Sequence, residues 1–104
     1  MDAKRNSPDQ LETIRISLQA REILNVLEQE RTTNDRLLSA WLGELGLSIS
    51  SWALNELLDR LNKEGLVRTE NVEEVRVVHL RRFGGEVARG LESLDWIARR
   101  ELPD

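Results

Sequence analysis

The chain holds one histidine, His79, and no cysteine. That leaves no thiolate nucleophile, no disulfide framework, no thiolate zinc site and no histidine-centred triad with a second imidazole. Neighbouring carboxylates such as Glu73-Glu74 fall in a segment that reads as a hairpin. Consecutive side chains there point apart, the wrong geometry for an acid and a base across one bond. Gly84-Gly85 lacks the strand-to-helix context and spacing of a phosphate loop. His79 sits in an apolar run and reads as an ordinary half-buried strand residue with no partner beside it in sequence. The residues present argue against an enzyme, a metal centre and a bound cofactor.

What remains is chemistry of contact. Ser50, Ser51 and Asn55 are small polar residues at the head of an amphipathic segment. There they could hydrogen-bond phosphates and base edges, Asn55 reading adenine through both edges of its amide. Arg68, Arg76, Arg81 and Arg82 could reach phosphates, and Trp52 stands among them as a bulky anchor. The background charge opposes that use. The chain carries a net charge of -4, and Lys4-Arg5, Arg81-Arg82 and Arg99-Arg100 are its adjacent cation pairs. Glu56 and Asp59 share the Asn55 face, and the segment between the two β-branched runs reads Glu70-Asn71-Val72-Glu73-Glu74.

The elements that must position these residues are legible from spacing. Ser7-Pro8-Asp9-Gln10 offers an N-cap, a first-turn proline and a capping-box glutamine. Apolar residues from Leu11 to Leu27 at intervals of three and four then predict a first helix over 7–30. A helix-turn-helix is expected over 33–65. Thr32 or Thr33 would cap its first helix, Leu37, Leu38, Trp41, Leu42 and Leu45 would face inward, and Gly46 would close it. Leu54, Leu57, Leu58 and Leu61 form one stripe that stops at Gly65. Two helices so close, the first ending in glycine, tend to cross steeply. The β-branched runs over 66–80 predict a hairpin, and 81–102 predicts two C-terminal helices, the second running from Leu91 to Leu102 with Pro103 as its stop. The expected fold is mainly α with a small β-hairpin: a winged helix-turn-helix with N- and C-terminal flanking helices in a single domain over 1–104.

Three stretches carry a resemblance: Leu45-Gly-Leu-Ser-Ile-Ser50 with Leu54-Asn-Glu-Leu-Leu58, then Leu61-Asn-Lys-Glu-Gly-Leu-Val67, then Leu80-Arg-Arg-Phe-Gly84-Gly-Glu-Val-Ala88-Arg-Gly90. Across about Ile16 to Gly90 the chain resembles small ArsR-like winged-helix proteins encoded by Mu-like phages and prophages. The resemblance implies a phage-type DNA-binding protein, a transcriptional regulator or DNA-associated accessory factor, with double-stranded DNA as partner. Metal-sensing ArsR repressors carry clustered cysteines or histidines, and His79 alone cannot serve that role.

The alternative is a winged helix that has lost DNA binding and serves protein interaction or dimerisation, with Trp52 as anchor. Leu11, Ile14 and Leu18 are more apolar surface than one small core can cover, as are Leu94, Trp96 and Ile97. They predict a homodimer joined through the first and terminal helices. The longest stretch without charge, Leu45 to Asn55, is 11 residues, about half of the roughly 20 a membrane span needs. The polar start is not followed by an apolar signal core, so the expected location is the cytoplasm of a bacterial host cell.

Overall fold

In the computed structural model, which describes residues 8–101, helix α1 spans Pro8–Glu30 and ends at Arg31 in the left-handed region, φ 67°. Arg31 turns the chain directly into a three-residue strand, β1, Thr32–Asn34. The Asn34 side chain then accepts from Leu37 N at 3.0 Å and caps helix α2, Asp35–Glu44. Thr32 and Thr33 are therefore strand residues and not caps. Asn34 performs the task, because from the position just before the first turn its amide oxygen reaches the N–H of the third helical residue, Leu37. The expected Ser7 cap and Pro103 stop lie outside the described residues.

Helix α3 spans Ser51–Lys63, with Ser50 Oγ accepting from Ala53 N at 3.1 Å. Both α2 and α3 are followed by a glycine at positive φ, Gly46 at 77° and Gly65 at 87°. The residue after each reaches back five positions, Leu47 N to Leu42 O at 2.8 Å and Leu66 N to Leu61 O at 2.9 Å. The two glycines thus set the directions of the turn into α3 and of the strand that leaves it.

Strand β2, Val67–Val72, pairs antiparallel with β3, Val75–Leu80, from Val67 opposite Leu80 to Val72 opposite Val75. β3 also pairs with β1, Thr32 opposite His79 and Asn34 opposite Val77, so the sheet order is β1-β3-β2. Helix α4, Arg82–Ala88, follows. Among the described residues, four helices and a three-stranded antiparallel sheet make a mainly helical structure, consistent with a winged-helix-like arrangement.

One core joins these layers. Ala20, Ile23, Leu24 and Leu27 of α1 meet Leu38 and Leu42 of α2, the α3 stripe Leu54, Leu57, Leu58 and Leu61, and Leu66, Val67, Val78, Val87 and Ala88. Each leucine so enclosed contributes roughly 1.5–3 kcal/mol over leaving it in water. Gly84 lets α4 lie on this core, since a Cβ there would collide with the Leu66 carbonyl.

Two expectations fail. Leu37, Trp41 and Leu45 of α2 are exposed rather than inward, because Leu38 and Leu42 alone form the face turned to the core. The segment from Leu91 to Glu101 is not a helix. Its backbone groups are spent elsewhere: Ala98 N donates to Ser17 O at 3.2 Å, and Ala98 O accepts from Arg21 Nε at 2.8 Å. Held along α1 in this way, the segment cannot close its own helical ladder.

Candidate functional site

The surface that sequence assigned to contact is the head of α3 together with the β2–β3 hairpin. Arg76 connects them. Its Nη1 donates to Asn55 O at 3.3 Å and Asn55 Oδ1 at 3.1 Å, and its Nη2 donates to Asp59 Oδ1 at 2.6 Å and Thr69 Oγ1 at 3.1 Å. Its backbone N–H donates to Asp35 Oδ1 at 3.1 Å, which brings in the start of α2. Two candidates for groove contact, Asn55 and Arg76, are thus brought together, but each takes up the other's hydrogen-bonding capacity. A guanidinium already facing a carboxylate and a carbonyl has little left for a phosphate.

The remaining candidates are dispersed. The Ser50 hydroxyl serves as the α3 cap, and Ser51 and Trp52 are exposed beside it, Trp52 to 73%. Arg68 is exposed on β2. Arg81 and Arg82 lie at the start of α4, where Arg82 Nε is 3.6 Å from Glu86. The hairpin tip presents Glu73 and Glu74, and Arg36 of α2 is 3.7 Å from Glu74. Carboxylates therefore stand against three of the arginines on this surface, Arg36, Arg76 and Arg82.

His79 has partners that sequence spacing does not reveal. Its Nε2 is 2.9 Å from Glu70 Oε2 and its Nδ1 is 3.1 Å from Thr32 Oγ1, so one imidazole bridges all three strands. The hydrogen bond from His79, aided by the charge of Arg68, holds the Glu70 carboxyl below the usual glutamate range. Among the described residues no cluster of three metal-ligating side chains occurs.

A second surface is apolar. Ile16 and Gln19 of α1 and Trp52, Ala53 and Leu57 of α3 line a groove of about 520 Å³, floored by Ile49 and rimmed by Glu12, Arg15, Glu56 and Arg60. Gln19 anchors it, its Nε2 donating to Leu47 O at 3.1 Å and to Ser48 O at 3.3 Å. Around α1 from the groove, Leu11, Ile14 and Leu18 are 67%, 56% and 41% exposed.

The terminal candidates for a dimer interface are not available. Ile97 is only 4% exposed and belongs to the core. Trp96 is half-buried, its Nε1 donating to Glu64 Oε1 at 2.9 Å and its ring covered by the Arg60 guanidinium at 3.8 Å. Leu94 is half-buried against the same core. They turn inward because the terminal segment is drawn onto α1 by Arg21, whose guanidinium also donates to Val87 O and Ala88 O, each at 3.2 Å. Burial, and then the nearby Arg100 charge, press the pKa of Arg21 downward. Sequence reading missed Arg21 and Gln19. The available signal was two long polar residues flanking Ala20 just where the apolar stripe is densest.

No helix among the described residues is long and apolar enough to cross a membrane. No protein-family model matches the chain, and neither a curated protein nor a solved structure shows a significant match.

Proposed function

We propose that this chain is a winged-helix module that acts through protein contact rather than by reading DNA, working in the cytoplasm of a bacterial host cell. The observation that carries the reading is the exposed face of α3. Trp52 stands open on it, Asn55 and Asp59 hold Arg76, and Glu56 adds a further negative charge. Such a face repels phosphate, while an exposed tryptophan in a desolvated contact is among the strongest anchors of protein interfaces.

Duplex DNA binding is the second reading, as a phage-type transcriptional regulator or DNA-associated accessory factor. The closely spaced α2 and α3, followed by a hairpin, favour it. Titrating duplex DNA at low and then moderate salt separates the two. The protein-contact reading expects no saturable binding at low salt. Tight binding that falls steeply with salt, and that Arg68→Gln or Arg36→Gln weakens, would establish phosphate contact and overturn it.

A further inference from the structure

Resting on the protein-contact reading, we infer that the α1–α3 groove is filled by the Leu11-Ile14-Leu18 stripe of a second copy of this chain, the two copies exchanging the contact about a twofold axis. Glu12, Ile16 and Gln19 turn toward the groove. Leu11, Ile14 and Leu18 lie about a quarter turn or more around the same helix, at roughly 100° per residue. One helix therefore carries both a groove wall and a protruding apolar stripe. A twofold pairing brings the stripe of each copy to the groove of the other, which is the self-complementarity an isologous interface requires.

Area supports the match. Leu11, Ile14, Leu18 and Trp52, 67%, 56%, 41% and 73% exposed, together offer on the order of 500 Å² per copy, and a standard interface takes roughly 800 Å² per partner, apolar centre and polar rim combined. The groove rim supplies the rest. Its charges are mixed, Glu12 and Glu56 with Arg15 and Arg60, so a strongly basic or acidic partner would leave one sign unpaired, whereas a second copy brings both signs, Glu12 and Arg15 among them, on the helix that carries its stripe. With the terminal segment turned inward, the groove takes the part that sequence assigned to Leu94, Trp96 and Ile97, while Leu11, Ile14 and Leu18 keep theirs.

Sedimentation equilibrium over a wide concentration range tests the inference. The expected result is a mass approaching twice the 12.0 kDa of the chain. Ile14→Glu and Trp52→Ala should each weaken the dimer by roughly tenfold or more. Both side chains are exposed, so circular dichroism should stay unchanged, as should the unfolding midpoint at concentrations where parent and variant are both monomeric, and Trp41→Ala on the outer face of α2 should leave the dimer intact. A dimer that is indifferent to Trp52→Ala, or one lost on Trp41→Ala, overturns the inference. So does a monomer at every concentration. The protein-contact reading is judged separately, by the DNA titration.

Discussion

Arg76 Nη2 lies 2.6 Å from Asp59 Oδ1, so the middle strand of the sheet is clamped to the third helix by a charge pair whose cation is largely covered and whose anion faces water. Removing the cation leaves Asp59 able to hydrate, so the cost comes chiefly from the lost bonds to Asn55 and Thr69. Arg76→Met should lower stability by about 1–2 kcal/mol. A double-mutant cycle with Asp59→Asn should give a coupling of about 0.5–1.5 kcal/mol, read from urea unfolding of the four proteins. Additive effects would mean that the pair is a surface contact of no weight.

Arg21 has no such freedom. Its guanidinium is buried and serves carbonyls from α4 and from the terminal segment. Arg21→Met should cost about 2–4 kcal/mol in the unfolding free energy, since Ala88 O, Ala98 O and Val87 O each lose a charge-assisted bond, although Val87 O keeps its bond from Gly90 N. Arg21→Lys should recover little of it, because one ammonium cannot reproduce a planar fork.

Glu70 contributes to the pH dependence of stability. Its pKa is lower in the folded chain than in the unfolded one, first through the His79 hydrogen bond. The unfolded state therefore binds the proton more readily, and stability falls as acid is added. The contribution is complete above the ordinary glutamate value near 4.5 and is lost as pH drops through the lower folded value. Unfolding midpoints measured between neutral and strongly acidic pH should fall less steeply in Glu70→Gln than in the parent chain.

Adjacent glycines should respond differently to the same methyl group. Gly84→Ala drives a Cβ into the Leu66 carbonyl, a backbone atom held in place by Arg81 N at 3.0 Å. A loss of about 2–3 kcal/mol is expected as α4 shifts off the core. Gly85→Ala meets the Arg89 side chain, 3.1 Å from the new atom, and Leu80 Cδ2 at an ordinary contact distance of 3.7 Å. That arginine can swing aside, so the unfolding midpoint should move little, or rise slightly from the better helix propensity of alanine.

Periodicity in the sequence reports which residues turn inward over several turns, and along α3 it served well, although on α2 it placed Leu37, Trp41 and Leu45 inward where they are exposed. The stripe from Leu54 to Leu61, the glycine stops at Gly46 and Gly65 and the hairpin over 67–80 all stand where spacing put them. It fails where a few residues answer to distant partners. β1 is three residues long and exists because β3 supplies its ladder, so Thr32–Asn34 carries no strand pattern of its own. Leu94, Trp96 and Ile97 look amphipathic, but Arg21 claims the Ala98 carbonyl from across the molecule. At the candidate surface, residue types were readable while pairings were not. Nothing in the spacing of Asn55, Asp59 and Arg76 says that strand register will bring them together.

The Arg21 and Ala98 contact also orders events in time, because its partners stand 77 positions apart. A ribosome delivers the helix long before the acceptors that Arg21 needs, Val87, Ala88 and Ala98. Until those emerge, the guanidinium must stay hydrated, which keeps the middle of α1 from sealing against its neighbours. The docking of the terminal segment on α1 is therefore a long-range step, in which a loop of this length must close before the contact repays it.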